Sequence, residues 1–341
     1  MSIQKVIETG WYQNKPWLWV LWPLSVLFAL LSALRRVFYR FKLIKSNHPG
    51  VPVIVIGNLT VGGNGKTPLV LALANYLLQH GRKVGVLSRG YGGQQAEFPY
   101  CVQANDRAAQ VGDEPLLITR RLQCPVVIDP IRTRGAKYLV ELGCNVIVCD
   151  DGLQHYALQR DIEWIVIDDR GFGNCRLLPS GPMREGVWRL RHVTGVVHNG
   201  KAPLALDVSQ NIPMQLTTQH MVNVADSSLT LTLDDFKQRY ASLDGVCAIG
   251  NPQRFFNSLA EQGISLKRQL VFNDHHLYRS SDLPQGALVM TEKDAVKCQA
   301  FAHPDWWFLQ IDAQLSHSFF TQTMRHLIHA ETNLKRKNYG I

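Results

Sequence analysis

VIGNLTVGGNGKTPLV, Val55 to Val70, decides the fold. The β-branched run VPVIVIGN (Val51 to Asn58) that leads into it reads as a buried strand. The residues from Thr67 to His80 read as a helix with Leu69, Leu73 and Leu77 on one face. The loop between them ends in Gly65-Lys66-Thr67. Strand, glycine-rich loop and helix in this order form a phosphate site, because backbone N–H groups and the helix N-terminus converge on an anion. The candidate nucleotide-binding residues are Thr60, Val61, Gly62, Gly63, Asn64, Gly65, Lys66 and Thr67, with Lys66 on the β- and γ-phosphates and the Thr67 hydroxyl on Mg2+. One position departs from the usual G-x-x-x-x-G-K-[ST] pattern, since Thr60 stands where the first glycine is expected. Threonine does not readily adopt positive φ, but Gly62, Gly63 and Gly65 leave permissive positions within the loop.

Further apolar runs follow at KVGVLSRG, PVVID, NVIVCDDG and EWIVIDD, the texture of a parallel sheet covered on both faces. NVIVCDDGLQH ends a strand in Asp150 and Asp151, the arrangement that holds Mg2+ opposite a phosphate-loop threonine; such carboxylates also cap helices. SRGYGG (Ser88 to Gly93), VGDEP (Val111 to Pro115), RTRG (Arg132 to Gly135) and LLPSGPMREG (Leu177 to Gly186) place charge among Gly and Pro at expected strand ends, where ligands of open α/β sheets bind. From about Asn199 the pattern alternates polar and apolar, as in MQLTTQHMVNV and LTLTL, and a second strand and helix alternation begins at GVCAIGN. The expected fold is α/β: a P-loop NTPase-like parallel core plus a smaller second α/β lobe, with a cleft between them. The expected divisions are a membrane-associated helix and basic linker over 1–45, the P-loop core over 46–198, linker strands over 199–232, and the second lobe with a C-terminal helix over 233–341.

Trp17 to Leu34 carries no charge and approaches the minimum length for spanning a bilayer. Trp17, Trp19 and Trp22 crowd its front end and Pro23 interrupts it, which suits the membrane interface as well as a span. Arg35, Arg36, Arg40, Lys42 and Lys45 follow it, so the positive-inside bias leaves the rest of the chain cytoplasmic. A cleaved signal peptide carries its charge before the apolar run instead, and the remaining alternative is a buried core helix. Across 341 residues, 46% hydrophobic and 18% charged composition excludes a disordered chain. The +9 net charge implies an anionic partner. The juxtamembrane basic run points to anionic lipid headgroups, whereas no basic and aromatic motif supports nucleic acid. Seven cysteines without a C-x-x-C pair suggest neither a zinc site nor a disulfide framework, as in a reducing cytosol.

The combination resembles the tetraacyldisaccharide 4'-kinases of lipid A synthesis. The apolar N-terminus, GNLTVGGNGKTP, SRGYGG, GDEP, DDGLQH, LLPSGPMRE, AIGNPQRFF, FNDHH and TEKDA carry the resemblance over nearly the whole chain. TVGGNGKTP, with its threonine, is that family's own form of the loop. The resemblance implies ATP-dependent phosphorylation of the 4'-hydroxyl of a membrane-embedded tetraacyldisaccharide 1-phosphate, at the bacterial inner membrane with the catalytic part on the cytoplasmic side. It assigns Lys66 and Thr67 to ATP and Mg2+, Asp150 and Asp151 to the metal, Glu185 to its vicinity, and Arg132 and Arg184 to phosphate. No obligate protein partner is inferred.

A sugar hydroxyl must lose its proton as the phosphoryl group arrives, and a carboxylate at the phosphate usually accepts it. Asp113, in VGDEP, is the candidate. By resemblance His275 of FNDHH orients it across the cleft, with His276 the alternative. DHH is not read as a metal site, because adjacent histidines project differently. Glu292, Lys293, Asp294 and Lys297 of TEKDAVK have helical spacing and read as a solvated face. The rival reading is a partitioning-type P-loop ATPase at the membrane, whose early lysine position is Val61 here.

Overall fold

The computed structural model describes residues 3–200 and 210–339. The expected linker over 199–232 is therefore covered only in part, residues 201–209 lying outside the described residues. The N-terminal segment forms α1 (Ile3–Gln13), a 3-10 turn (Pro16–Leu21) and α2 (Trp22–Arg40). The body continues with β1 (Val53–Gly57), α3 (Lys66–Gln79), β2 (Val84–Ser88), β3 (Tyr100–Cys101), α4 (Ala108–Val111), α5 (Asp113–Arg121) and β4 (Val126–Ile128). Next come α6 (Arg132–Glu141), β5 (Val146–Asp150), β6 (Ile162–Asp168) and β7 (Gly195–Asn199). The remainder is β8 (Asn211–Asn223), β9 (Thr230–Thr232), α7 (Leu233–Arg239), β10 (Leu243–Cys247), α8 (Pro252–Glu261), β11 (Leu266–Val271), β12 (Leu288–Thr291), α9 (Glu292–Cys298), β13 (Trp306–Leu315) and α10 (His317–Tyr339).

The strands form one sheet in the order β11-β10-β12-β13-β8-β7-β6-β1-β5-β2-β4-β3, with β9 paired to β8. From β2 to β8 the neighbours run parallel, as do β10, β11, β12 and β13, and the antiparallel β8–β13 pair joins the two blocks. The stretch read as linker strands thus supplies β8 and β9 to the sheet itself. Its alternation is that of a ladder half-covered on each face, which a linker ribbon would share. A register shift between Leu309 and Ile311 in β13 bends this junction. Beyond it, the loops after β10 and β11 reach the first block, where Gly250 approaches the Gly63 amide and His275 meets Asp113.

The central strands are buried on both faces, which is why β1, β2 and β5 are continuous apolar runs. α3 covers one face through Leu69, Leu73 and Leu77, all without exposure. Each such leucine stabilises by about 1.5–3 kcal/mol. All seven cysteines are free thiols.

The N-terminal segment is neither a core helix nor a detached tether. The run from Pro16 to Arg40 is long and apolar enough to cross a membrane: an 18-residue window within it has mean hydropathy 2.0, and only 11% of that window is buried. A narrow stripe docks it on the body: Trp11 Nε1 donates to Pro179 O at 2.9 Å, and the Ser25 hydroxyl donates to Ser180 Oγ at 2.7 Å. Leu24, Leu27, Leu31 and Leu34 remain exposed.

Candidate active site

The loop between β1 and α3 owes its shape to two glycines and to contacts from outside it. Gly62 (φ 108°) and Gly65 (φ 93°) occupy the left-handed region, and Gly65 serves as the N-cap of α3. A Cβ on Gly65 would collide with the Asn199 amide. Thr60 is not among the residues with positive φ, so a glycine is not needed there. Its backbone bridges to Met183 and its hydroxyl accepts from Asn64 Nδ2 at 3.0 Å. The loop is further fixed by Val61 N donating to Pro182 O (2.9 Å), Asn58 Nδ2 to Gly62 O (3.2 Å) and Asn199 Nδ2 to Asn64 O (2.9 Å).

β5 lies beside β1, with Ile56 opposite Asp150, so the acidic pair emerges next to the loop. Asp151, at φ 50°, takes the left-handed conformation that few residues other than glycine, asparagine, aspartate and histidine adopt. Its carboxylate sits between Lys66 Nζ at 3.5 Å and Arg184 Nη1 at 3.0 Å. Burial sets up the competition, and the charges of Lys66 and Arg184 win it, holding Asp151 down at about 2. Asp150 is buried with an Oδ1 that has no hydrogen-bond partner; burial and the charge of Glu114 push it up to about 7. Glu185 is also buried, accepts the Tyr156 hydroxyl at Oε1, and leaves Oε2 without a hydrogen bond.

Asp150 Oδ1 is left as an open donor for a hard divalent cation, which prefers oxygen ligands and keeps several for water and phosphate, whereas Glu185 Oε2 has Arg189 Nε at 3.6 Å as its ion-pair partner. Among the described residues no group of three or more His, Cys, Asp and Glu is close enough to hold a metal alone. Arg132 is buried, donates Nη2 to the Asp150 carbonyl at 2.8 Å, and leaves Nε and Nη1 unspent. Burial first, then the charges of Arg132, Arg89 and Arg35, depress His155 to about 4.

Asp113 begins α5 and is buried, and His275 Nδ1 donates to its Oδ2 at 2.9 Å. Burial alone would raise Asp113, but the His275 hydrogen bond and the Lys293 charge outweigh it and bring the carboxyl below its ordinary value. The same hydrogen bond raises His275. His276 turns away to Asp282 at 3.3 Å and stacks on Phe272. The structure therefore pairs Asp113 with the first histidine of the two.

TEKDAVK is not a solvated face. Lys293 bonds Glu114 at 2.9 Å, Glu292 bonds Arg121 at 2.9 Å, and Asp294 and Lys297 form a 2.7 Å pair with almost no exposure. α9 is thus pinned to α5, the helix that carries Asp113. The missed signal was Thr291-x-x-Asp294, a capping pattern in which Thr291 Oγ1 accepts from Asp294 N and donates to its carboxylate. Asn199 and Arg170 support the loop with no signal in the sequence, and Asn64, a loop candidate, is their contact point.

A cavity of about 360 Å³ opens between α2 and the Arg184–Gly186 turn, lined by Leu30, Ala33, Arg36, Leu177, Arg184 and Trp188. Arg36 lies 4.6 Å from the Trp188 ring centroid and ties the helix to the cavity wall. Arg184 is shared: it lines this cavity and grips Asp151.

A glycine loop on a parallel strand, a lysine at the helix start and carboxylates on the adjoining strand define a P-loop protein of the phosphoryl-transfer class. The sequence profile described as Tetraacyldisaccharide-1-P 4'-kinase matches residues 17–329. Similar proteins named Tetraacyldisaccharide 4'-kinase include one from Pseudoalteromonas atlantica, 48% identical over 89% of this chain and 98% of that protein. Another, from Tolumonas auensis, is 45% identical over 94% and 97%. The crystal structure of the "apo" form of LpxK from Aquifex aeolicus in complex with ATP superposes with a TM-score of 0.80 and 26% identity, covering 92% of this chain and 99% of that one. The chain belongs to the tetraacyldisaccharide-1-P 4'-kinase family. The partitioning-type ATPase reading falls with that assignment.

Proposed function

We infer that this chain transfers the γ-phosphate of ATP to the 4'-hydroxyl of a tetraacyldisaccharide 1-phosphate, in lipid A biosynthesis, at the cytoplasmic face of the bacterial inner membrane. The observation that carries the lipid acceptor is the position of Arg184. One guanidinium borders an apolar cavity under the exposed N-terminal helix and also contacts the carboxylate 3.5 Å from the phosphate-loop lysine. An amphipathic acceptor held there keeps its chains toward the lipid-facing helix and its sugar toward the loop. The exposed leucines of α2 and the basic residues after Leu34 suit an anionic membrane surface.

Phosphoryl transfer asks the protein for alignment, charge neutralisation and a proton acceptor. The loop from Gly62 to Gly65 presents backbone N–H groups to the nucleotide, and Lys66 offsets phosphate charge. Arg132 brings two unspent donors, and Arg184 matches phosphate oxygens in the bidentate manner of guanidinium. Thr67, Asp150, Asp151 and Glu185 are the donors we assign to Mg2+. When bound, that ion neutralises charge on the β- and γ-phosphates. Asp113 accepts the hydroxyl proton, and His275 holds the carboxylate ionised and oriented.

Filling the cavity tests the acceptor site. Ala33→Trp should raise the KM for lipid at least several-fold and leave the KM for ATP unchanged. An unchanged lipid KM in a folded variant places the acceptor elsewhere.

A further inference from the structure

Thr60 in place of glycine leaves the phosphate loop dependent on a chain of side chains that leads to the N-terminal helix. Thr60 Oγ1 accepts from Asn64 Nδ2 at 3.0 Å, and Asn64 Oδ1 in turn accepts from Arg170 Nη2 at 3.1 Å. Arg170 Nη2 also reaches Gly63 O at 3.2 Å, and a Cβ built on Gly62 would come within 3.4 Å of its Nη1. The guanidinium is aimed by Asp168 at the end of β6, through Nε at 2.9 Å and Nη2 at 2.7 Å. Its remaining face is covered by Tyr12 of α1, 5.2 Å from the ring centroid. Trp11, the neighbouring residue, docks on Pro179 O, and Pro182 O three residues on accepts from Val61 N in the loop.

Gly62 and Gly63 give the loop freedom that must be lost before phosphate is gripped, and every contact that fixes them beforehand lowers that cost. We propose that Arg170 is a positioning residue for the nucleotide loop, and that Tyr12 holds Arg170 in place, so that nucleotide affinity depends on docking of the N-terminal segment. The inference rests on the loop being the nucleotide site. It separates two roles of the N-terminus: the leucine face of α2 meets lipid, whereas the Trp11–Tyr12 end of α1 supports the ATP site. Asp168 and Asn64 hold the guanidinium edge, and the stacking aromatic adds cover on its face, which their in-plane hydrogen bonds leave open to water.

The test uses full-length protein in detergent, with equilibrium binding of a fluorescent ATP analogue and steady-state KM values for ATP and lipid. Tyr12→Ala should weaken nucleotide binding about two- to five-fold, the scale of a partly exposed cation–π contact. Tyr12→Phe, which keeps the ring, should restore it. Arg170→Gln should weaken binding about ten-fold or more, the scale of lost hydrogen bonds from a charged donor. Tyr12→Ala in the Arg170→Gln background should add nothing, and lipid KM should stay constant throughout. Unchanged nucleotide affinity in Tyr12→Ala overturns the proposal, as does an equal further loss in the Arg170→Gln background. Should Arg170→Gln not fold, the Tyr12→Ala and Tyr12→Phe pair decides alone. A wild-type protein that binds no nucleotide overturns instead the reading of the loop on which this proposal rests.

Discussion

Removing His275 should slow phosphoryl transfer without loosening ATP, and the size of the loss follows from its contact with Asp113. The 2.9 Å hydrogen bond from Nδ1 ends on a carboxylate with 3% side-chain exposure, where solvent screening is weak. A hydrogen bond to a charged group is worth about 1.5–3 kcal/mol. If that whole amount acts on the proton acceptor in the transition state, His275→Ala lowers kcat about ten- to hundred-fold. Asp113→Ala removes the acceptor itself and should cost about 10²–10⁴-fold. The double variant should be little worse than Asp113→Ala, because His275 acts only through that carboxylate. Single-turnover transfer at saturating ATP, with a separate ATP-binding isotherm for each variant, measures both quantities. Multiplicative losses in kcat, or losses that fall mainly on ATP affinity, would refute the reasoning.

The pH dependence of stability carries the same contact. The raised pKa of His275 makes its contribution complete below the free imidazole value of about 6.5 and lost as pH climbs through the folded value; the lowered pKa of Asp113 makes its contribution complete above about 3.9 and lost as pH falls through its folded value. The difference in thermal midpoint between wild type and His275→Gln should therefore be largest between about pH 4 and 6.5 and shrink on the alkaline side. Thr60→Gly, which restores the common loop pattern, should lower stability by about 1–2 kcal/mol in a denaturant titration, because it removes the Asn64 hydrogen bond and frees the unfolded chain. Asp150→Asn should raise the Mg2+ concentration for half-maximal transfer at least about ten-fold, since one charged donor of a weakly held ion is lost. Leu27→Asp with Leu31→Asp, both on the exposed face of α2, should abolish flotation with anionic vesicles while leaving the ATP-binding isotherm intact.

The parallel core was legible because its strands are buried on both faces and separated by glycine and proline. VIVIG, VGVLS and VIVCD could hardly be read otherwise. The joining of two blocks into one sheet was not legible, because the alternation over β8 is the same for a linker ribbon and for a strand paired with β7 and β13. The positions of Lys66 at a helix start and of Asp150 and Asp151 at a strand end were legible from the glycine loop and the apolar runs. The choice of His275 over His276 could not, since it depends on a backbone at φ 60° that turns one ring to Asp113 and the other to Asp282. Glu292, Lys293, Asp294 and Lys297 read as a solvated face because helical spacing says nothing about what packs on a helix, and α5 is far from α9 in sequence. The Arg170 support was hidden for the same reason. Its partners Tyr12, Asn64 and Asp168 meet only in the folded chain.

The most direct test of the account is transfer of label from [γ-32P]ATP by purified full-length protein in detergent, offered two acceptors in parallel. One is the tetraacyldisaccharide 1-phosphate with a free 4'-hydroxyl, and the other is the same lipid with that hydroxyl blocked. Label should appear in the first lipid only, as a phosphate monoester, and should vanish with Lys66→Ala. A folded, ATP-binding protein that labels neither lipid, or both equally, would contradict it.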